Sequence, residues 1–269
     1  MEFDKQFRIM HMEMKIRGFS KRTIENYLYF NQKFLEFIQK SPRSVNNMDV
    51  RLYLESLVDK GLKNATLAAA YNALKFYYYD VLGRRFFKNI KRPKVGKTIP
   101  FVLSKEEIYS MINCTENPKH KFFIKVLYSS GLRVSECLKL RFKDIDKGIV
   151  FVKSGKGNKD RISIIAKLSD EINAISTGNS NDYIFSGRNG HLTVRSAQMI
   201  LKKAAKRAKI NKRVYPHCLR ASFATHLIDQ GEHLGDIKEL LGHSSIRTTY
   251  GYIRPNPSRI TGIRNPLRT

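Results

Sequence analysis

Two side chains that could bind an anion lie three residues apart in the stretch Pro-His-Cys-Leu-Arg at residues 216–220. Proline suits the first turn of a helix, so His217 and Arg220 should share one helical face close to its N-terminus. At that end the free backbone amides and the helix dipole already favour negative charge. The pair on its own is weak evidence, because a partly buried histidine beside a surface arginine produces the same pattern.

A second histidine lies at a predicted corner between two helices. Gly242 is suited to end one helix in the left-handed conformation, and Ser244 or Ser245 to begin the next. His243 would then lie on the corner, with Tyr252 nine residues further along the chain. Aromatic packing at an ordinary helical corner explains the same residues, since most of the 13 tyrosines should belong to the core or the surface.

Two more basic residues lie next to glycines. Arg133 belongs to the segment Gly-Leu-Arg-Val-Ser-Glu, where a helix is expected to begin near Val134. Its plain interpretation is a surface arginine paired with Glu136. Lys156 lies between two glycines at the tip of a predicted hairpin, where a solvated lysine is common. Each signal is therefore weak when it is taken alone.

In their order along the chain, however, these motifs resemble those of the tyrosine site-specific recombinases, the phage integrase family. The Xer branch, archaeal members included, is the most similar. The resemblance covers the second domain almost end to end and the N-terminal helical segment less specifically. Family members often carry histidine where this chain has Ala221, but that position is not catalytic. The catalytic positions implied by the resemblance are Arg133, Lys156, His217, Arg220, His243 and Tyr252.

The resemblance also implies the roles of the nucleophile and of the acid and base. Tyr252 would attack a DNA phosphodiester and form a covalent 3′-phosphotyrosine, which keeps the bond energy needed to rejoin the strand without ATP. His217 is the candidate general base and Lys156 the candidate general acid for the departing 5′ oxygen. Tyr250 is the alternative tyrosine, but it comes two residues too early for the family spacing.

Guanidinium groups would take the place that metal ions have in many nucleases. Arg133 and Arg220 can each bind two phosphate oxygens with two parallel hydrogen bonds, and both stay charged at any useful pH. His217 and His243 can add hydrogen bonds to the same oxygens, and Glu136 is a candidate to hold Arg133 or a neighbour in place. Because the motifs offer no carboxylate cluster for a metal, we expect a site without metal or cofactor.

The charge of the chain points to the same kind of partner. Among 269 residues, 50 Lys+Arg face 23 Asp+Glu, which gives a net charge of +27 and a pI of about 10.1. Disorder is excluded because 42% of the residues are hydrophobic. So strong a positive field attracts a polyanion, with nucleic acid before an anionic membrane. The excess occurs on both sides of residue 97, which suggests two surfaces on one double-stranded DNA.

The elements predicted around these residues form a mainly α-helical, two-domain fold. Residues 1–92 are expected to be a four-helix bundle, the core-binding domain in terms of the resemblance. Residues 93–100 read as a basic linker, because they combine two prolines with lysines. Residues 101–269 are expected to be a mixed α+β catalytic domain with a small antiparallel sheet or hairpin. Its tail of residues 254–269 would dock on a neighbouring protomer or stay a basic arm.

Local signals set the expected bounds of several elements. Ser20 and Ser104 should begin helices, and Ser104 has the glutamate of a capping box three residues later. Asn64 should cap one continuous helix over residues 65–82. Alternating and β-branched residues predict a hairpin. Its strands are Ile149–Val152 and Arg161–Ile165.

Cysteine use and hydropathy bear on where the protein works. The three cysteines, Cys114, Cys137 and Cys218, form no Cys-x-x-Cys pair and are expected to be reduced. The N-terminus lacks the apolar core of a signal peptide, and no apolar run approaches the length of a membrane span. We therefore expect a cytoplasmic protein with no membrane partner.

Several functions share this chemistry. The favoured hypothesis is Xer-type resolution of chromosome or plasmid dimers by a homo-oligomer, a tetramer on paired DNA sites. The integrase of a mobile element is the alternative within the family. A type IB topoisomerase is a weaker one, because the short Xer-like spacing argues against it. A catalytically silent nucleic-acid-binding protein would not need all six residues.

Overall fold

The computed structural model describes residues 2–96, 101–153, 160–165, 168–176, 178–188 and 190–253. Contacts divide the chain into two compact units, Met1–Thr98 and Ile99–Thr269. Lys156 and the tail from residue 254 lie outside the described residues. In the described part of the chain, no helix is long and apolar enough to cross a membrane.

The first unit is a helical bundle, which confirms the predicted fold class. Ser20 begins the second helix as expected, since its hydroxyl accepts from the backbone N–H of Thr23 at 3.2 Å. The core holds several aromatic rings, among them Phe34 with its ring centre 5.3 Å from that of Tyr53. The helices are α1 (Glu2–Ile16), α2 (Lys21–Ile38), α3 (Asn47–Asp59) and α4 (Asn64–Lys75), followed by a π-helical segment (Phe76–Val81) and a 3-10 helix (Arg85–Asn89).

The expected helix over residues 65–82 is wrong in two respects. Asn64 is already helical, and Lys63 takes the cap position without a side-chain hydrogen bond, because lysine has no acceptor to offer. The α-helix also gives way at Phe76 to the π-helical segment, in which Phe76, Tyr77 and Tyr78 are all buried. In the wider π-helix consecutive side chains fan out over a narrower arc, so three neighbouring aromatic rings can face one core.

The second unit is mixed, with eight α-helices among the described residues. The Ser104 capping box is present as predicted: Ser104 Oγ accepts from Glu107 N at 3.1 Å, and Ser104 N donates to the Glu107 carboxylate at 2.8 Å. The helices are α5 (Lys105–Asn113), α6 (Pro118–Ser130), α7 (Val134–Leu138), α8 (Ser169–Ala174), α9 (Val194–Arg207), α10 (Pro216–Asp229), α11 (Leu234–Leu241) and α12 (Ile246–Tyr250).

The predicted hairpin is present as part of a three-stranded antiparallel sheet. Its order is β1 (Ile145–Asp146), β2 (Ile149–Val152) and β3 (Arg161–Ile164). Val152 is paired with Arg161. The predicted turn with Lys156 falls between these strand ends and lies outside the described residues. A second sheet pairs β4 (Ser186–Gly187) with β5 (Gly190–His191). It was not predicted, because two-residue strands are too short to show an alternating pattern.

Helix α10 lies at the centre of the second unit. All eight residues from Cys218 to Thr225 are buried, so this helix has no solvent-facing side over two turns. Leu219 belongs to a large apolar core with α6 and α9, whereas Phe223 and Ala224 belong to a smaller cluster with α11 and Tyr252. Arg220 is thus held between two apolar cores.

Candidate active site

The C-terminus of α11 binds three arginine side chains from other elements. Three successive carbonyl groups at this end accept a hydrogen bond from one guanidinium each, and Gly242 ends the helix in the left-handed conformation with φ 61°. Carbonyls in the last turn lack helical partners and carry the negative end of the helix dipole. The pairs are Arg161 Nε to Leu240 O at 3.1 Å, Arg220 Nη2 to Leu241 O at 2.5 Å and Arg133 Nη2 to Gly242 O at 3.1 Å.

Arg133 is positioned by the start of α7. Its backbone N–H and its Nη1 each donate to a different oxygen of Glu136, both at 2.8 Å, so the expected pairing of Arg133 with Glu136 is present. Glu136 also accepts two hydrogen bonds from Arg161, at 2.9 and 2.6 Å. Burial alone would raise the pKa of Glu136, but the hydrogen bonds from Arg161 and Arg133 outweigh it and lower the pKa to about 2. The carboxylate is therefore charged throughout the neutral range.

Arg220 is the most deeply buried cation of the site, with 2% of its surface exposed. Its Nη1 donates to Gly131 O at 2.6 Å, where α6 ends in the left-handed conformation with φ 57°. A Cβ at Gly131 would come within 2.3 Å of the Phe223 ring, so only glycine fits this corner. Burial first, and the charge of Arg133 second, lower the pKa of Arg220 to about 10, which still leaves it charged at neutral pH.

His217 lies in the first turn of α10, on the same side of the helix as Arg220. A large part of the residue is accessible to solvent. The surrounding protein nevertheless disfavours the charged ring, and Arg220 and Arg133 add their repulsion, so the pKa of His217 is lowered. A neutral imidazole at neutral pH can accept a proton.

His243 and Tyr252 contact each other beside the α11 terminus. Their rings are stacked, with centres 5.9 Å apart and planes 22° apart. His243 Nδ1 shares a hydrogen bond with Thr249 Oγ1 at 3.0 Å. Burial and the charges of Arg220 and Arg133 lower the pKa of His243 to about 4, so its ring is neutral at neutral pH.

Tyr252 is buried, whereas the alternative tyrosine is exposed. Tyr252 has 4% of its surface exposed and belongs to the apolar cluster of Phe223 and Leu241. Its backbone oxygen accepts from Thr225 Oγ1 at 3.4 Å. Tyr250 is 52% exposed. Of the two, only Tyr252 has its ring against His243.

Of the six residues singled out in the sequence, five lie in the described part of the second unit. Arg133, Arg220 and His243 meet at the α11 terminus, His217 lies within electrostatic reach of both arginines, and Tyr252 contacts His243. Lys156 lies outside the described residues. A cavity of about 700 Å³ opens beside this arrangement, and its lining includes Arg133, Arg161, His243 and the acidic residues Asp236 and Glu239.

Sequence reasoning missed Arg161. It appeared only as the first residue of the predicted hairpin strand Arg161–Ile165, with no role in the site. Its side chain is 8% exposed, although an arginine beside a turn is ordinarily solvated. Its partners, Glu136 and Leu240, lie 25 and 79 residues away in the sequence, so no local pattern could have identified them.

Among the described residues, no group of three or more His, Cys, Asp or Glu side chains is placed to hold a metal ion. Cys137 and Cys218 are buried free thiols, and Cys114 is an exposed one. The expectation of a reaction without metal stays a prediction.

Comparison with known proteins covers both units. The model of the phage integrase family matches residues 102–259, and that of the phage integrase N-terminal SAM-like domain matches residues 7–87. The chain is 34% identical over 251 residues to the tyrosine recombinase XerA of Pyrococcus horikoshii, which covers 90% of this chain and 86% of the relative. Two solved structures are similar in fold. One is XerH bound to a palindromic difH substrate (TM-score 0.73, 20% identity, 95% and 82% covered), and the other a lambda integrase tetramer bound to a Holliday junction (TM-score 0.77, 16% identity, 94% and 76% covered).

The lowered pKa of His243 predicts a titration in the free protein that differs from that of an ordinary histidine. NMR of the ring protons should give a midpoint at about pH 4 rather than near the usual 6.5. In the unfolded chain the same ring has its ordinary pKa of about 6.5, so the unfolded chain binds the proton more tightly than the folded one. The free energy of unfolding should therefore fall as the pH drops from about 6.5 towards 4.

The variant His243→Asn assigns the resonance and should make this part of the pH dependence shallower. A midpoint of His243 near 6.5 in the free protein would contradict the burial of its ring among the arginines.

Proposed function

Since the chain belongs to the phage integrase family and is a tyrosine recombinase of the Xer type, an enzyme of site-specific recombination, we propose that Tyr252 cleaves and rejoins the DNA strands through a covalent 3′-phosphotyrosine. The observation that carries this proposal is the stacking of Tyr252 on His243. In the chain, His243 directly follows Leu241 and Gly242, whose carbonyls accept from Arg220 and Arg133. No other tyrosine among the described residues has its ring against a histidine of this group.

Arg133 and Arg220 are proposed to bind the non-bridging oxygens of the scissile phosphate. Arg220 donates to the carbonyls of Gly131 and Leu241, which carry only partial charge, so its own charge is not cancelled by them. Arg133 shares the single carboxylate of Glu136 with another arginine. The three guanidinium groups and one carboxylate leave an excess of two positive charges. Such an excess favours a phosphate whose negative charge grows on its oxygens during transfer.

Proton transfer is proposed for His217 at the attacking oxygen and for Lys156 at the leaving oxygen. His217 is neutral and accessible, which suits a base that takes the proton of the Tyr252 hydroxyl during attack. His243 is proposed to donate a hydrogen bond to the phosphate. Lys156 is proposed as the acid for the 5′ oxygen. This assignment rests on the sequence motif and on the position of Lys156 in the chain between the paired strands β2 and β3.

The role of Tyr252 can be tested with a nicked suicide substrate, on which a cleaved strand cannot be rejoined. Tyr252→Phe removes one hydroxyl and keeps the buried ring, so the variant should bind DNA but form no covalent complex. The matched control Tyr250→Phe should form the complex at the wild-type level. A denaturing gel that resolves protein from protein–DNA adduct gives the measurement. If Tyr250→Phe loses the adduct and Tyr252→Phe keeps it, the assignment is wrong.

DNA contacts are proposed for the exposed face of α9 in the second unit. The opposite face is apolar and packs into the core through Ala197, Leu201 and Ala205. The exposed face carries several cations. Helix α9 contacts α7, which begins directly after Arg133, and α10, which contains Arg220. These cations would bind backbone phosphates and fix the register of the protein on the duplex. They include Arg195, Lys202, Lys203 and Lys206.

This contact predicts a specific salt dependence. Each lysine that neutralises one phosphate releases counterions, so Lys202→Ala and Lys206→Ala should each lower the slope of log affinity against log salt by about one. The exposed lysine Lys147, which lies between β1 and β2 in the second unit and has no proposed DNA contact, serves as a control through Lys147→Ala. Titration of labelled duplex DNA at several salt concentrations gives the slopes. Unchanged slopes for both α9 variants would remove this helix from the interface.

A tetramer on paired sites is proposed as the working assembly, by analogy with the lambda integrase tetramer on its junction. Residues 1–92 would bind DNA as the core-binding domain, residues 93–100 would link it to the catalytic domain of residues 101–269, and the tail would dock on a neighbouring protomer. Acting on chromosomal or plasmid DNA in the cytoplasm, the assembly would resolve dimers, a role proposed from the similarity of the chain, at 32–36% identity, to tyrosine recombinases named XerA.

A plasmid with two directly repeated copies of the bound DNA site, selected from genomic fragments, tests this role. Purified protein should convert it into two smaller circles without metal, and EDTA should not stop the reaction. Joining of two different sites in place of resolution would favour the integrase alternative. Relaxation of supercoiled plasmids that carry no selected site would favour a type IB topoisomerase.

A further inference from the structure

Arg161 joins three parts of the second unit with one side chain. It is the first residue of β3. Its Nη1 and Nη2 donate to the two oxygens of Glu136 at 2.9 and 2.6 Å, and its Nε donates to Leu240 O at 3.1 Å. Three of the five N–H donors of the guanidinium are thus used within the protein. Because the side chain is only 8% exposed, little of this group is accessible to DNA.

The two arginines that share Glu136 differ in what they can reach. The side chain of Arg161 is 8% exposed and that of Arg133 is 27% exposed. Because Arg161 donates to both carboxylate oxygens, it holds Glu136 in a single orientation. The guanidinium of Arg133 binds the same carboxylate through Nη1 alone. Arg133 is therefore the arginine that can turn to a substrate, and Arg161 is the one that fixes its support.

The same side chain also fixes the corner that leads to His243. A Cβ at Gly242 would lie 2.6 Å from Cδ of Arg161, so this arginine packs directly on the turn. Gly242 O, on the other side, accepts from Arg133. The strand that follows the hairpin of Lys156 is in this way tied to the end of α11, and any shift of one would displace the other.

We propose that Arg161 is a positioning residue for DNA cleavage, which sets Arg133 and His243 at the scissile phosphate without contacting it. The proposal rests on the proposed function of these two residues. Since a displacement of about 1 Å at a reacting group can cost on the order of a hundredfold in rate, the loss of Arg161 should appear in the chemical step. DNA affinity should hardly change, because the side chain of Arg161 is nearly buried and is bound to Glu136 and Leu240.

The test uses Arg161→Lys in the full chain, since lysine keeps the charge but cannot bind Glu136 with two parallel hydrogen bonds and reach Leu240 as well. At saturating protein on the suicide substrate, the rate of adduct formation should fall by about 10- to 100-fold, while the DNA dissociation constant stays within about twofold. The matched control is Arg141→Lys, which removes an arginine that bridges Asn181 O and Tyr183 Oη. That variant should keep the wild-type rate.

A second variant removes the same contact from its other side. Glu136→Gln should show the same split between rate and affinity, and the double variant should be little slower than either single one, because both act through one contact. A wild-type rate for Arg161→Lys overturns the proposal. So does a fall in rate that merely follows the fraction of unfolded protein, measured by thermal melting. The adduct is scored whichever tyrosine forms it, so failure of the Tyr252 assignment would be seen separately.

Discussion

The site depends on the hydrogen bonds that three arginines donate to the carbonyls at the end of helix α11. Three cations would repel one another if they were brought together in a partly buried place. Here three successive carbonyls, each with partial negative charge, separate and fix them. The arginines start from α7, β3 and α10, so one helix terminus determines where three distant segments meet. The left-handed residues Gly131 and Gly242 make the close approach possible.

The distribution of charge gives the site its chemical character. One carboxylate, Glu136, is shared by two arginines, while Arg220 is supported by carbonyls alone. Burial, together with repulsion by Arg220 and Arg133, lowers the pKa of His217 and of His243 and keeps both rings neutral at neutral pH. The arrangement has fixed positive charge for an anion and neutral rings for proton transfer. These two properties suit the exchange of a phosphodiester between a DNA oxygen and a phenol.

Local signals were sufficient for much of the fold, because a cap or a hairpin is determined by neighbouring residues. Ser20, Ser104 and Gly242 are found at the helix ends where the sequence predicted them. The π-helical turn at Phe76 could not be predicted, since the packing of a distant core selects it. The motif order pointed to five residues that the structure describes, but the partners of Arg161 lie far along the chain. Lys156 stays a prediction from the sequence.

The burial of Tyr252 has a consequence for DNA that the protein binds outside its target site. A strongly basic protein spends most of its time on DNA that is not its target. Under the proposed role of Tyr252, a ring that is stacked on His243 and buried in an apolar cluster would have to be rearranged before its hydroxyl could attack a phosphate. Binding and cleavage would then be separate steps, and binding alone would leave the DNA intact.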